Sequence, residues 1–160
     1  KNPKLSNIGA FVDVFPIDGL GNNLSKAKKI LLSCKKIQYK IGLGFCQESK
    51  FSIYNLVKNL YCRLLFCFKN YYYNKYIRIC TKNDYFSSKY VAFCGSYYGE
   101  KEIMEREYFS NFILKQFEDD FYPVPIEFDK YLKKIYGKYL ELPPKEKQIT
   151  HHSFKVYLKK

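Results

Sequence analysis

The chain has 160 residues, 47% of them hydrophobic, and a formal net charge of +13. This length and apolar content are typical of one folded domain and argue against a disordered chain. The run LYCRLLFCF is broken by Arg63 and is shorter than the ~18 apolar residues that a membrane span needs, so a transmembrane helix is not expected.

The positive charge is concentrated in the middle of the chain. Residues 22–90 contain fourteen Lys and Arg against two acids, Glu48 and Asp84. Such a segment favours an anionic partner, which could be nucleic acid, a phosphate-bearing substrate or an anionic membrane face. Lysine is also common on solvated helix surfaces, so a role in solubility alone stays open.

The first predicted element is a strand over residues 11–17, in the stretch GAFVDVFPIDGLGNN, ended by Pro16 and the glycines that follow. Alternation along this strand puts Asp13 on the face opposite to Val12 and Val14, toward a cleft or solvent. A carboxylate held on a strand suits Mg²⁺, but on the pattern alone a solvated strand acid is the favoured explanation. Asp18 precedes Gly19 in a predicted turn, where Asp side chains bond backbone amides.

Three amphipathic helices are predicted next. LSKAKKILLSCKKIQYKIGLG has apolar residues at helical spacing, with Ser25 as the N-cap and Gly42 as the stop. SKFSIYNLVKNLYCRLLFCFKN repeats the pattern with Ser49 or Ser52 near its cap, and YYYNKYIRICTKN predicts a shorter third helix. The apolar stripes of all three helices are expected to be core.

The last part of the chain alternates strand and helix signals. KYVAFCGSYYG predicts a strand ending in a glycine turn, and EKEIMEREYF a turn or short helix. NFILKQFEDDFYPVP predicts two strands meeting at Asp119 and Asp120, followed by a helix that Gly137 ends. Together with the earlier elements, this order predicts an α+β fold.

The six cysteines form no CxxC pair and no regular framework. Reduced thiols in a cytosolic protein are therefore expected. A zinc site that combines cysteines with His151 or His152 stays open, although the spacing supports it weakly.

Two blocks of the sequence resemble the LicD family of phosphocholine transferases. GAFVDVFPIDG is similar to the family's G-x-f-iDIFPlDg strand, and the tail from FEDDFYPVP through YGKYLELPP to the His pair is similar to its C-terminal signature. The resemblance implies a partial nucleotidyltransferase-like core with a few-stranded mixed sheet and a Mg²⁺ site of three acids. Asp13 matches the third acid, and the family's aspartate-rich strand is expected before residue 1.

The resemblance also implies one domain over 1–160, truncated at its N-terminal side. Residues 1–21 would form the catalytic-core strand, 22–84 an inserted basic helical segment, and 85–160 the strands, hairpin and C-terminal helix. The implied location is cytoplasmic, at the inner face of the membrane.

The implied reaction moves phosphocholine from CDP-choline to a hydroxyl of a glycan, such as lipopolysaccharide, teichoic acid or capsule, or of its lipid-linked precursor. Glu118, His151 and His152 are the expected substrate contacts, and aromatic residues would cage the choline. Tyr97, Tyr98 and Tyr108 are candidates among 31 Tyr and Phe, and the cage stays unassigned. The alternative is a small basic nucleic-acid-binding module whose aromatic residues stack on bases, although no recognisable binding motif supports it.

Overall fold

A computed structural model describes residues 13–45 and 52–148. Within these ranges the chain forms four α-helices and five β-strands, which confirms the predicted α+β class. They are β1 (Asp18–Gly21), α1 (Leu24–Gly44), α2 (Ile53–Cys67), α3 (Lys69–Cys80), β2 (Tyr90–Ala92), β3 (Met104–Glu105), β4 (Phe112–Phe117), β5 (Asp120–Pro125) and α4 (Phe128–Tyr136).

The strands form two separate sheets. One has the order β1-β2-β3, with Asp18 opposite Ala92 and Val91 opposite Met104, and the other is the β4–β5 hairpin. Every pairing among the described strands is antiparallel, so the predicted mixed sheet is wrong for this part of the chain. The hairpin itself lies where the sequence predicted it.

The predicted first strand is displaced toward the C-terminus. Residues 11 and 12 lie outside the described ranges, and residues 13–17 are not paired; β1 starts at Asp18. Pro16 has no N–H to give to a ladder, which explains why regular pairing begins only after it. Asp18, predicted in a turn, is therefore the first residue of a strand.

The helix ends follow local capping chemistry. The side chain of Asn23, rather than the predicted Ser25, caps α1 by accepting a 3.0 Å hydrogen bond from the backbone N–H of Lys26. Ser52 is the N-cap residue of α2, and Gly137, with φ of 71°, ends α4 as predicted. Gly137 can take this left-handed conformation because it lacks a Cβ.

The helix α2 departs from the prediction that its apolar stripe is core. Its buried residues are Cys62 and Leu65, which lie on the side facing its neighbours. The predicted core positions are instead at least half exposed, because no described element covers that side: Ile53, Leu56, Val57, Leu60, Leu64 and Phe68. No helix in the described ranges has the length and hydropathy to cross a membrane.

The main core lies between the β1–β2 strand pair and the helices α1 and α3. Because α1 presents buried side chains at helical spacing, it packs one face against both α3 and the sheet. The core cluster consists of Leu20, Ala27, Leu31, Cys34, Cys80, Ala92, Cys94 and Ile103. Three of these eight residues are cysteines.

Candidate functional site

A small cavity of about 120 Å³ lies between residues 13–17, the end of β2, two 3₁₀ turns (Gly99–Glu102 and Arg106–Phe109) and α4. Aromatic rings and one carboxylate dominate its wall. The lining residues are Phe15, Ile17, Ala92, Phe93, Glu102, Phe109 and Tyr131. We call this the aromatic pocket.

Glu102 is the acidic residue of the aromatic pocket and is 6% exposed. Its carboxylate accepts hydrogen bonds of 2.9 Å from the hydroxyls of Ser96 and Tyr131. Burial, and then the hydrogen bond to Glu102, raises the pKa of Tyr131, so its phenol stays protonated and donates. Among the described residues, no Lys or Arg forms an ion pair with Glu102. The ammonium of Lys134 lies nearby but donates to the carbonyl of Ile103.

The four aromatic rings of the pocket form two pairs. The rings of Phe15 and Phe93 have centroids 4.6 Å apart, and those of Phe109 and Tyr131 are 5.8 Å apart at 70°. Phe15 is 59% exposed and lies at the rim. The pocket therefore combines aromatic surface with a buried carboxylate that forms no ion pair among the described residues, although the ammonium of Lys134 is near it.

The start of β1 and the end of β2 lie between two groups of side chains. On one side, Ile17 and Phe93 line the aromatic pocket, and on the other side the next residues, Asp18 and Cys94, interact with each other. Ala92 lies between the two groups, because it lines the pocket and also belongs to the core cluster. We call the two sides the pocket side and the thiol side.

Asp13 is exposed and lies two residues before Phe15, so the two Cα atoms are within about 7 Å of each other. This position is next to the rim of the aromatic pocket. In the part of the chain that the structure describes, the metal-ligand group of three or more residues is made of cysteines and not of acids. The described residues therefore supply one carboxylate at Asp13 and do not by themselves make a Mg²⁺ site.

Of the other predicted contact residues, the structure describes Glu118, and this residue does not line the aromatic pocket. Glu118 is exposed in the β4–β5 turn with φ of 53°, and its carbonyl accepts a hydrogen bond from Gln116. His151 and His152 lie outside the described residues, so their role stays a prediction.

The tyrosines considered for the choline cage are also elsewhere. Tyr97 is 98% exposed, and Tyr98 packs edge-on against Tyr136, which the family pattern had also matched. The ring of Tyr108 lies 5.9 Å from the ammonium of Lys130.

Sequence reasoning missed Glu102 because nothing local separates it from the neighbouring acids in GEKEIMERE.

A lysine-lined cleft of about 420 Å³ lies between α1 and residues 96–100. Lys28, Lys29 and Lys35 line it, and Lys28 forms a 2.8 Å ion pair with Glu100. Part of the charge of the basic middle segment is thus gathered beside Ser96, the residue that also bonds Glu102.

The chain is similar to lipopolysaccharide cholinephosphotransferase LicD of Haemophilus influenzae, with 27% identity over 154 residues. The similarity covers 92% of this chain and 57% of the relative, so the chain spans a little over half the relative's length. No family model and no solved structure matches the chain. The similarity therefore extends through the helical middle, which the two sequence blocks had left unassigned.

Proposed function

Because the chain is related to LicD, as its two sequence blocks predicted, we propose that it acts as a phosphotransferase of this type. It would move phosphocholine, or a related phosphoalcohol, from a CDP-activated donor to a hydroxyl of a cell-surface glycan or its lipid-linked precursor. The observation that carries the proposal is the aromatic pocket, where a buried carboxylate faces four aromatic rings.

The chemistry of the aromatic pocket matches a quaternary ammonium group. Such a group carries a positive charge but no N–H, so it is recognised by aromatic faces and by negative charge. Each aromatic contact contributes roughly 0.5–2 kcal/mol. Phe15, Phe93, Phe109 and Tyr131 supply the faces, and Glu102 supplies the carboxylate.

The size of the pocket also suits this headgroup. Its volume of about 120 Å³ equals that of about four water molecules at roughly 30 Å³ each. A trimethylammonium group, with one nitrogen and three methyl carbons, needs a similar space. A nucleotide base with its ribose would not fit, so the nucleotide would remain outside.

Glu102 gives the pocket a preference for a cation. Buried charges in proteins are usually paired, and this carboxylate has hydroxyl donors but no ion-pair partner among the described residues. In the proposal, the quaternary nitrogen of choline forms an ion pair with the carboxylate of Glu102. Ser96 and Tyr131 hold the carboxylate in place for it.

Asp13 lies where the donor's phosphate would emerge from the aromatic pocket. We assign Asp13 as one ligand of Mg²⁺, with the remaining ligands coming from residues beyond the described ranges. Bound Mg²⁺ would neutralise charge on the phosphate oxygens. Glu118, His151 and His152 remain predicted contacts of the substrates.

Binding of CDP-choline to the chain, measured by calorimetry, tests the headgroup assignment. The comparison ligand is the isostere in which carbon replaces the quaternary nitrogen. Glu102→Gln and Phe93→Ala should each weaken CDP-choline binding by roughly tenfold, within the range of cation–π energies, and affect the neutral isostere much less. Glu107→Gln and Tyr97→Ala, which change a glutamate and an aromatic residue outside the pocket, are the controls.

Equal losses for the two ligands would contradict the headgroup assignment. If CDP-choline did not bind while random oligonucleotides bound with a steep salt dependence, the nucleic-acid alternative would replace the proposal.

For Asp13, Asp13→Asn should abolish Mg²⁺-dependent transfer by the whole protein while leaving Mg²⁺-free CDP-choline binding unchanged. Unchanged transfer would remove Asp13 from the site.

We also propose that the outer face of α2 contacts an anionic membrane, where a lipid-linked acceptor would be found. This face is apolar, and it belongs to the basic segment 22–90, so hydrophobic and electrostatic attraction act together. Leu60→Glu should reduce sedimentation with phosphatidylglycerol vesicles. Phe117→Glu, at an equally exposed apolar residue of the hairpin, is the control. Equal sedimentation of all three proteins would contradict the contact.

A further inference from the structure

Three buried cysteines meet on the thiol side. Cys34 comes from the middle of α1, Cys80 is the last residue of α3, and Cys94 follows β2. Their exposed fractions are 0%, 5% and 2%, and their sulfur atoms all lie within 4.8 Å of one another. Residues so far apart in the chain meet here only because three elements converge on one point.

The spacing of the sulfur atoms matches a tetrahedral metal site. Zn²⁺ binds thiolate sulfur at about 2.3 Å, and two corners of a tetrahedron are about 1.6 times that distance apart, close to 3.8 Å. The sulfur atoms of Cys34 and Cys80 are 3.9 Å apart. A disulfide could join only two of the three sulfur atoms and needs a separation of about 2.05 Å. The trio is thus placed as ligands of one ion would be.

A carboxyl group lies beside the three thiols. Asp18, the first residue of β1, is partly buried and interacts with the thiols of Cys94 and Cys80. Three cysteines alone are explained well enough as small buried hydrophobic residues. A partly buried acid beside them is not, because a buried carboxylate needs a positive partner or a proton.

We propose that Cys34, Cys80 and Cys94 bind one Zn²⁺ ion, and that the neighbouring carboxyl group of Asp18 turns toward the bound ion as its fourth ligand. Thiolate ligands select a soft or borderline metal, which excludes Mg²⁺ here, and the oxygen ligand favours Zn²⁺ over Cu⁺. Cys94 also lines the lysine-lined cleft, but all three cysteines are at most 5% exposed, so the site is structural. This inference does not rest on the proposed transferase activity.

The bound Zn²⁺ would hold β1 and β2 in place on the side opposite to the aromatic pocket. It ties α1, α3, β1 and β2 together at one point. Asp18 and Cys94 are the direct neighbours of Ile17 and Phe93, which line the pocket. The Zn²⁺ site would therefore hold two pocket walls in register without touching the ligand.

Metal analysis of the chain, purified under reducing conditions without chelators, tests the proposal. We expect one Zn²⁺ per chain in the wild type and in Cys62→Ser, which changes a buried cysteine of α2 outside the cluster. Cys80→Ser should lose the ion. Replacement by Co²⁺ should give sulfur-to-cobalt charge-transfer bands and the visible bands of a tetrahedral ion.

Asp18→Asn distinguishes a ligand from a neighbour of the site. It should keep the sulfur-to-cobalt bands, because three thiolates remain, but weaken Zn²⁺ binding by more than the about 10- to 100-fold that loss of a supporting neighbour costs. A smaller loss, or unchanged affinity, would overturn the role of Asp18 as a ligand.

The wild type provides a test that does not depend on the folding of variants. Removal of Zn²⁺ by a strong chelator should lower the melting temperature, and Zn²⁺ but not Mg²⁺ should restore it. A wild-type chain without Zn²⁺ that gives no thiolate bands with Co²⁺ would overturn the proposal. So would a chain that holds copper or iron in place of Zn²⁺. None of these results depends on transfer activity or CDP-choline binding, so the two proposals can fail separately.

Discussion

On the thiol side of the β1–β2 strand pair, the helices α1 and α3 close over the side chains, and Cys34, Cys80 and Cys94 are almost fully buried. On the pocket side, the walls are an unpaired segment, two 3₁₀ turns and the nine-residue helix α4, and Phe15 is 59% exposed. The same two strands thus separate a closed site from an open one.

The difference shows how the packing elements decide what a site can do. Long helices bury their side chains on a continuous face, so the three cysteines are at most 5% exposed although Cys94 lines the lysine-lined cleft, and such burial suits an ion that stays bound. Short elements cannot cover a strand pair completely, and the gap between them forms a cavity that a ligand can enter and leave. One strand pair can therefore carry a structural site and a ligand site back to back.

Gly19 offers the strongest test of this shared-strand arrangement. A Cβ at this residue of β1 would lie 2.6 Å from the carbonyl oxygen of Asp84 and 2.8 Å from that of Asn83. Gly19→Ala should therefore displace β1, lower the free energy of unfolding by about 1–3 kcal/mol or more, and weaken both Zn²⁺ and CDP-choline binding. Denaturant unfolding measures the first effect.

Gly42→Ala is the matched control, because a Cβ on this residue of α1 would meet no atom within 4 Å. It should raise stability by up to about 1 kcal/mol through helix propensity. If Gly19→Ala affected only one of the two binding activities, β1 would not couple the two sides.

Substitution of Glu102 should affect the pocket side and leave the thiol side unchanged. Glu102→Ala leaves the hydroxyls of Ser96 and Tyr131 without their acceptor, and this should cost about 1–3 kcal/mol of unfolding free energy. Glu102→Gln keeps an acceptor oxygen and should cost less. Zn²⁺ content should stay unchanged in both variants, and a loss of Zn²⁺ in either would show that the sides are not independent.

Asp129 should give the smallest effect, on the outer surface of the pocket side. Hydrogen bonds from Lys133, and then from Tyr139, lower the pKa of this exposed carboxyl group below its usual 3.8. A carboxyl group with a lowered pKa in the folded state adds stability above its unfolded pKa, and this stability is lost as the pH falls through the folded value. Asp129→Asn should therefore reduce the difference in melting temperature between pH 6 and about pH 3 slightly, without changing either binding activity. An unchanged difference would contradict this.

Much of the local structure follows from the sequence. The apolar periodicity of α1, the turn between β4 and β5, and the stop at Gly137 depend on interactions within a few residues, so they were predicted close to their observed positions. The α+β class followed from the order of such elements, and the resemblance to LicD from two sequence blocks. The strand predicted at residues 11–17 was misplaced because Pro16 has no N–H to donate to a strand ladder. The start of β1 at Asp18 is set by pairing with β2, which is distant in the sequence.

Neither the aromatic pocket nor the cysteine cluster could be predicted from local sequence patterns. Glu102 looks like any acid in a charged run until α4 and Ser96 bury it. Cys34, Cys80 and Cys94 are 46 and 14 residues apart and match no ligand spacing. The outward apolar face of α2 was predicted as core because periodicity shows that a helix has an apolar face but not what covers it.

The sequence by itself determined the helices, the hairpin, the basic charge of the middle segment and the similarity to LicD, because each depends on composition or on neighbours along the chain. The tertiary structure decided that Asp18 lies beside the thiols of Cys80 and Cys94 and that Glu102 lines a pocket with four aromatic rings. The physical reason is that burial and convergence come from contacts between distant segments, and these turn ordinary acids and cysteines into candidate ligands.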